Sequence, residues 1–308
     1  MIYFVVNPHA RSGKAAVIWA ELEELLHARQ ICYTAYKTEY AGHAALLANM
    51  ISQSASPDNP VTLAVLGGDG TVNEVYNGLT NHKYITLGYI PTGSGNDYAR
   101  GLNLETDYVR ALEHILDSTA ATAVEYGILS DSTHSRRFAV SCGIGYDANV
   151  TYRALTSRLK RIFNKLGLGK LVYGVLGFIQ IIINPKMSAV ISIDGVPVLE
   201  TKRLHFASVH VLKYEGGGFP FAPHARPSGG MLSVCVFHDT GRLGFARNLI
   251  SSISEKHGGR KGVSLFQCST FSIRTDKKSH VHTDGEDFGY ISEMNAAVCS
   301  TEDFVHIL

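Results

Sequence analysis

Three apolar runs near the start of the chain each end abruptly in a polar, glycine-containing loop, and a helix-compatible segment follows each loop. The runs are Ile2–Val6, Val61–Leu66 and Thr86–Ile90. Short apolar runs that alternate with helical periodicity predict parallel strands covered by helices. Ligands bind such sheets beyond the carboxyl ends of the strands, where these three loops would lie. The pattern therefore predicts an N-terminal α/β domain with a mostly parallel sheet and a binding site at one edge.

The kind of secondary structure that the sequence predicts changes at about residue 121. Before it, helices are predicted over Gly13–Arg29, Gly42–Ile51, Val72–Leu79 and Asp107–Leu116, with a further strand at Cys32–Tyr36. After it, strand-like runs dominate, at Phe138–Ser141, Ala189–Ile193, His205–Leu212, Leu232–Phe237 and Phe271–Arg274. A single helical region is expected near residues 148–184. We therefore expect a second, β-rich domain.

Composition excludes several classes of protein. Of the 308 residues, 45% are hydrophobic and 18% are charged, which is typical of packed domains and excludes wholesale disorder. The net charge of +1 argues against a dedicated nucleic-acid binder. Five cysteines without a CxxC pair favour free thiols in a reducing compartment. Because Met1–Val6 is interpreted as a strand and not as a signal peptide, a cytoplasmic location is expected.

The three loops have the composition of a phosphate site. The first, Asn7–Lys14, lacks the pattern of a Walker A loop, but a turn between a strand and a helix favours anions. The second, Gly67–Glu74, places three glycines around the Asp69 carboxylate. The third, Pro91–Asp97, is small, polar and glycine-rich. Glycines allow close backbone approach to a ligand, while Asp69 and Asp97 can hold a metal ion or water.

These loops, with two later motifs, resemble the diacylglycerol kinase catalytic family, which includes bacterial lipid kinases and the sphingosine and ceramide kinases. The resemblance rests on Val6-Asn7-Pro8, Gly67–Glu74, Pro91–Arg100, Gly143–Asp147 and Asp284-Gly285-Glu286. It covers essentially the whole chain in order. The Gly-Gly-Asp-Gly element alone is less specific, since NAD kinases and phosphofructokinases share it.

The resemblance implies an NAD-kinase-like α/β domain followed by a β-sandwich-like domain. We expect the nucleotide-binding domain at residues 1–126, with 292–308 returning to it, and the lipid-substrate domain at 127–291. ATP would be held by residues that match the family's nucleotide site: Asn7, Pro8, His9, Ala10, Arg11, Thr38, Gly67, Gly68, Asp69, Gly70, Thr71, Val72, Asn73 and Ser94.

The same resemblance implies roles for the acidic residues. Glu286 matches the general base, which would deprotonate the hydroxyl of diacylglycerol or a related lipid alcohol. Asp284 and Asp69 would complete the catalytic set, and Asp69 and Asp97 would hold the nucleotide's Mg²⁺. Phosphoryl transfer needs such a base together with acids that position the metal.

One departure concerns a structural Mg²⁺ site. Family members usually have an Asp in the segment after a Gly-Gly-Gly and a Pro, and here Gly229 stands in that place. Hard cations prefer carboxylate oxygens, so we expect this structural site to be weak or absent. The departure leaves open a nucleotide- or lipid-binding pseudokinase. A kinase of a soluble alcohol or of NAD is a further alternative, against which the full motif series argues.

The near-neutral charge hides an uneven distribution. The 46 residues between Asp147 and Asp194 contain seven basic residues and no acidic one, whereas the remaining chain carries a net charge of −6. Basic and apolar residues interleave over 153–170, a pattern that suits an anionic membrane surface and equally a solvated helix packed on the core.

The apolar stretch Leu171–Asn184 is shorter than the roughly 20 residues of a membrane span. It predicts a buried or interfacial helix, whose Leu171–Ile183 part either lines an acyl-chain groove or packs inside. The oligomeric state stays open, with a homodimer as one alternative.

Overall fold

The computed structural model describes residues 1–156, 169–300 and 303–308. Contacts divide the chain into a first unit of residues 1–126 and 299–308 and a second unit of residues 127–298. The return to the first unit was expected at residue 292 and comes later, at Cys299. Residues 292–298 stay in the second unit because the strand that contains them remains paired there as far as Val298. The Cys299 amide then donates to the Tyr126 carbonyl at 2.9 Å.

The first unit alternates strands and helices as predicted. Its elements are β1 (Ile2–Val6), α1 (Lys14–Ala28), β2 (Tyr33–Lys37), α2 (His43–Gln53), β3 (Val61–Gly67), α3 (Asp69–Gly78), β4 (Ile85–Pro91), α4 (Asp97–Leu102), α5 (Tyr108–Asp117), β5 (Thr122–Val124) and the last strand of the chain, β15 (Val305–Ile307). The sheet order is β2-β1-β3-β4-β15-β5, and every pair is parallel except β15 with β5. The mostly parallel sheet is therefore confirmed.

Helix α1 packs its apolar face against the sheet of the first unit. Trp19, Leu22 and Leu26 are fully or almost fully buried, and the Trp19 ring lies 5.1 Å from the Phe4 ring of β1. Val17 of the same helix is 62% exposed. The buried face is thus centred on Trp19, because the largest apolar side chain contributes most when it leaves water.

The second unit is a sheet of nine strands with three described helices beside them. Its elements are β6 (Gly127–Ser130), β7 (Ser135–Phe138), β8 (Ser141–Gly145), α6 (Tyr146–Thr156), α7 (Gly169–Ile183), β9 (Met187–Ile193), β10 (Val196–His210), β11 (Leu232–His238), α8 (Arg242–Ser252), β12 (Val263–Cys268), β13 (Thr270–Thr283) and β14 (Glu286–Val298). The main path is β12-β11-β10-β8-β13-β14-β6-β7, with β9 paired to both β10 and β13. All the named strand pairs of this sheet are antiparallel. Such a β-rich unit fits the predicted fold class.

Two sequence interpretations in this unit need correction or completion. The strand predicted at Phe138–Ser141 is wrong, because β7 ends at Phe138 and β8 begins only at Ser141. The helical region predicted near 148–184 consists of α6 and α7, and residues 157–168 between them lie outside the described part of the chain. Among the described residues, no helix has both the length and the apolar character needed to cross a membrane.

The contact of α3 with α2 gives a test of the packing in the first unit. A Cβ on Gly78 would overlap the carbonyl oxygen of Ala45 in α2, and backbone cannot move aside as a flexible side chain can. We expect Gly78→Ala to destabilise the protein by about 1–3 kcal/mol, the range typical of overpacking. Thermal unfolding would show a lower midpoint. Gly241→Ala is the control, since a Cβ there meets nothing within 4 Å. Equal midpoints for the two variants would contradict this packing.

Candidate functional site

The carboxyl ends of β1, β3 and β4 lie side by side at one edge of the first sheet. Val6 pairs with Leu66, and Gly67 pairs with Pro91. The three segments stay hydrogen-bonded just beyond the strands. The Asn7 amide donates to the Leu66 carbonyl and the Thr92 amide donates to the Gly67 carbonyl, each at 2.8 Å. The three glycine-containing loops predicted from the sequence are therefore neighbours.

Two of the loops touch through their backbones. A Cβ on Gly93 would come within 2.8 Å of the Gly68 Cα, and a Cβ on Gly68 within 3.2 Å of the Gly93 Cα. Only glycine allows this approach without a shift of the backbone. Helix α3 begins immediately after Gly68, so its first-turn N–H groups and the positive end of its dipole lie at this edge. The arrangement provides the backbone donors that a phosphate group requires.

Hydrogen bonds connect the first loop to the second, and the second loop to the residue that follows the third. Asn7 Nδ2 donates to Thr71 Oγ1 at 3.0 Å, and Asp69 Oδ1 accepts from the Tyr98 amide at 3.1 Å. Burial raises the pKa of Asp69, while hydrogen bonds from backbone amides, that of Tyr98 foremost, oppose the rise. The Asp69 carboxylate is thus positioned by backbone at the edge where the loops meet.

Asp97 is the second acidic residue at this edge. It is buried, and its Oδ1 accepts from Arg100 Nη1 at 2.6 Å. The guanidinium compensates part of the negative charge that a cation would otherwise meet. Carboxylate oxygens of Asp69 and Asp97 are nevertheless of the type that Mg²⁺ prefers, so the donor set is chemically suited to that ion.

The remaining residues predicted to contact the nucleotide surround the same edge. Thr38 is buried, and its amide donates to the Val6 carbonyl at 2.8 Å. His9, Arg11 and Ser94 are exposed in the first and third loops. Arg11 has a positive φ of 51°, which turns the chain back before α1 begins. All the predicted nucleotide-binding residues therefore belong to the first unit and lie in or next to its three loops, whereas Asp284 and Glu286 belong to the second unit.

The Asp-Gly-Glu element forms the tight turn between β13 and β14. Asp284 and Gly285 have φ of 49° and 82°, and the flanking Thr283 and Glu286 pair across the hairpin. Two successive positive φ values are typical of a two-residue hairpin turn, for which Asp-Gly is a favoured sequence. Glu286 is consequently the first residue of β14, and it is half-buried.

The Asp284 carboxylate anchors this turn. It accepts backbone N–H groups from Ala139 at 2.7 Å, Val140 at 2.8 Å and Ser141 at 2.9 Å. These amides face the carboxylate where β7 gives way to β8, which explains why the strand predicted at Phe138–Ser141 is interrupted. Three charge-assisted hydrogen bonds fix the turn, and with it the backbone of Glu286.

A buried cluster of charged groups next to the turn was not predicted from the sequence. His282 Nε2 lies 3.2 Å from Asp147 Oδ2 and 3.3 Å from Glu215 Oε1, and all three side chains are buried. The Gly285 amide lies 3.4 Å from His282 Nδ1, at the outer limit of a hydrogen bond. The cluster therefore joins the start of α6, the segment after β10 and the end of β13. Only Asp147 belonged to a quoted motif, and no spacing rule connects residues so distant in the chain.

The same three side chains offer ligand atoms within 4.8 Å of one another, so their capacity for a metal ion must be considered. Burial opposes the protonation of His282, but the charges of Glu215 and Asp147 outweigh it and raise its pKa to about 10. A metal ion bound at Nε2 would have to displace this proton, because a ligating imidazole is neutral.

His210 lies beside the cluster and differs from His282. Its Nε2 is 2.8 Å from Ser208 Oγ and 3.5 Å from Glu215 Oε2, and the side chain is fully buried. Burial lowers the pKa of His210 to about 4, although the charge of Glu215 acts in the opposite direction. His210 is therefore neutral in the folded protein at neutral pH.

This difference predicts a dependence of stability on pH. Below its unfolded pKa of 6.5, His210 takes up a proton when the protein unfolds, so stability falls as the pH decreases from 6.5 toward about 4. The contribution is on the order of 2 kcal/mol. In urea unfolding at several pH values, His210→Gln should lower overall stability yet flatten the profile over this interval. The exposed His114→Gln is the control. An unchanged slope in His210→Gln would contradict the assignment.

The segment that contains Gly229 does not provide a carboxylate. Gly229 lines an open cleft of about 760 Å³ together with His224 and Arg226, and no acidic residue is among its described lining residues. Positively ionisable side chains without a carboxylate do not suit a hard cation. The expectation that a structural Mg²⁺ site is weakened here remains consistent with the chemistry of these residues.

Comparisons with known proteins agree with this architecture. Residues 1–126 match the family model of the diacylglycerol kinase catalytic domain, and residues 140–300 match that of the YegS C-terminal NAD kinase beta sandwich-like domain. The protein named "Putative lipid kinase YtlR" from Bacillus subtilis is 29% identical over 294 residues, which is 93% of each chain. The diacylglycerol kinase of Staphylococcus carnosus is 36% identical over 128 residues, 41% of this chain and 39% of that relative.

Solved structures show the same fold. A diacylglycerol kinase from Bacillus anthracis has a TM-score of 0.70 at 20% identity, covering 99% of this chain and 95% of its own. An NAD kinase from Archaeoglobus fulgidus in complex with ATP has a TM-score of 0.54 at 13% identity, covering 100% and 93%. The chain therefore belongs to the diacylglycerol kinase catalytic family, and it combines that catalytic domain with a YegS-type β-sandwich-like domain.

Proposed function

We propose that this protein is an ATP- and magnesium-dependent lipid kinase. It transfers the γ-phosphoryl group to the hydroxyl of diacylglycerol or a related lipid alcohol. The observation that carries the proposal is the meeting of three glycine-containing loops at one sheet edge, with α3 beginning there. Family membership supports a kinase, and the ATP complex of the structurally similar NAD kinase supports the choice of nucleotide.

In this proposal the first unit binds the nucleotide. Backbone N–H groups of the loops and the start of α3 hold the phosphates, while Asn7, Thr38 and Ser94 complete the site. Asp69 and Asp97 would hold Mg²⁺, which supplies neutralisation of the phosphate charge when it is bound. Because Asp69 is fixed by the Tyr98 amide and Asp97 by Arg100, both carboxylates are positioned before the ligand arrives.

The Asp-Gly-Glu turn supplies the base. Glu286 accepts the proton of the acceptor hydroxyl, and Asp284 acts mainly through the backbone amides that it binds. General bases of this kind contribute roughly 10²–10⁴-fold to a rate. The rate depends on the position of Glu286 as well as on its basicity, and the hydrogen bonds of Asp284 fix the turn that sets this position.

Replacement of the base gives the first test. We expect Glu286→Ala to lower lipid phosphorylation by about 10²-fold or more while nucleotide binding is largely kept. Transfer of radiolabel from ATP to lipid measures the first property and calorimetry with Mg-ATP the second. Glu293→Ala, an exposed carboxylate on the same strand, is the matched control and should retain activity. Undiminished turnover in Glu286→Ala would remove Glu286 from this role.

Gly229 favours a second candidate function, a nucleotide- or lipid-binding pseudokinase. A Cβ on Gly229 would meet nothing closer than 3.9 Å, so a side chain can begin there without a clash. If the kinase proposal is right, the unaltered protein phosphorylates at least one member of a panel of lipid alcohols, and Gly229→Asp only modifies its Mg²⁺ dependence. Activity that appears only in Gly229→Asp would identify the unaltered chain as a binder. Phosphorylation of NAD or glycerol without lipid turnover would instead indicate a kinase of a soluble acceptor.

The proposal includes a place of action. A lipid kinase meets its acceptor at a bilayer, and we propose that this protein acts at the cytoplasmic face of an anionic membrane, in contact through residues 153–170. Most of that segment lies outside the described residues. Its basic residues and lack of acidic ones support the proposal.

A further inference from the structure

Helix α7 exposes five of its apolar side chains and buries its polar Gln180, while Leu176 and Ile181 pack inward. Among its described side chains, Val175, Phe178, Ile179, Ile182 and Ile183 are 45%, 66%, 37%, 48% and 45% exposed. Gln180, the polar residue of this stretch, is only 2% exposed. The outer side of α7 thus differs from that of a helix on the surface of a soluble protein, which is polar.

The exposed residues form one continuous stripe. Positions 175, 178, 179 and 182 are separated by three and four residues, so they lie on one side of an α-helix, with Ile183 at its edge. We call Val175, Phe178, Ile179, Ile182 and Ile183 the α7 stripe. Single exposed apolar residues need no explanation, but a contiguous exposed row of five marks an interaction site.

Contacts on the opposite side keep α7 in this orientation. Arg153 Nε of α6 donates to Gln180 Oε1 at 2.9 Å, and Gln180 Nε2 donates to Asn184 Oδ1 at 3.1 Å. Leu176 is buried in a cluster with Ala154 and Val150 of α6. Rotation of the helix to bury the stripe would break these hydrogen bonds and expose Leu176. The sequence left open whether Leu171–Ile183 packs inside. Of its described side chains, those on the same side of the helix as Gln180 pack inward.

The neighbouring helix α8 has a similar character. It packs beside α7, and its Leu243 and Ile250 are 85% and 66% exposed. Arg242 and Arg247 of the same helix are exposed, and neither pairs with a carboxylate within the part of the chain that the structure describes. The region from 148 to 193, which contains α7, has no acidic residue at all.

We propose that the α7 stripe is a docking surface for an anionic lipid bilayer. Helix α7 has 15 residues, and an apolar helix too short to span a membrane is suited to lie in the plane of its interface. The arginines of α8 and the lack of acidic residues in the region from 148 to 193 complement negatively charged headgroups. The choice of lipid over protein also rests on the proposed kinase function.

The proposal is tested by vesicle binding of the full chain. The double variant Phe178→Gln/Ile182→Gln removes the centre of the stripe and leaves Gln180 and Leu176 in place. We expect this variant to bind phosphatidylcholine vesicles that contain phosphatidylglycerol at least about tenfold more weakly than the unaltered protein does. The control, Leu46→Gln/Met50→Gln, removes two exposed apolar side chains of α2 and should bind normally. Equal melting temperatures show that all variants are folded.

Charge and oligomeric state give two further readouts. Arg242→Gln/Arg247→Gln should weaken binding to vesicles with phosphatidylglycerol and leave binding to phosphatidylcholine alone unchanged. Light scattering measures the mass of each variant. If the stripe variant turns a dimer into a monomer and binds vesicles normally, the stripe is an interface between copies of the chain and the proposal is overturned.

The result can be separated from that for the kinase function. Vesicle binding needs no turnover, so normal binding by the folded stripe variant refutes the docking surface whatever the enzyme activity. If the protein phosphorylates lipid, the stripe variant should lose activity on vesicles and keep it on a short-chain, water-soluble diacylglycerol. Absence of turnover in the unaltered protein, together with stripe-dependent vesicle binding, would refute the kinase and leave the docking surface standing.

Discussion

The close approach of Gly68 and Gly93 at the carboxyl edge of the first sheet is the constraint on which the candidate nucleotide site depends. Parallel pairing aligns β1, β3 and β4, and their loops must then share a narrow space. A side chain at either glycine would push the loops apart, because the atom it meets is backbone. The same contact positions α3, Asp69 and the segment before α4. Backbone geometry, with few side-chain contacts, therefore creates the site.

In the second unit, hydrogen bonds and ion pairs hold charged side chains in place within the folded structure. Asp284 is satisfied by three backbone amides, and Asp147 and Glu215 share the imidazole of His282. Removal of one member would leave a buried charge without compensation. The loss in free energy of unfolding would then far exceed the net stabilisation that the intact ion pairs provide. These contacts surround the Asp-Gly-Glu turn, so the position of Glu286 depends on residues from β7 to α6 as well as on its own hairpin.

Local patterns predicted much of this structure because their causes are local. The strands before each loop and the helices α1, α2 and α5 follow from periodicity within a few residues. The strand expected at Phe138–Ser141 was wrong because the amides there bind Asp284, a residue far along the chain. The return to the first unit was placed too early for a similar reason, since pairing with β6 keeps β14 in the second sheet as far as Val298.

The sequence by itself determined the order of the loops, their glycines and the identity of the acidic residues, since motif spacing and backbone permissiveness are properties of short segments. It also determined that the region from 148 to 193 is basic and apolar. Only the tertiary structure decided that Asp147, Glu215 and His282 meet, and that α7 buries Gln180 and exposes its aliphatic side. Helical periodicity defines the two sides of a helix, but the partners of Gln180 and Leu176 on α6 select which side faces inward.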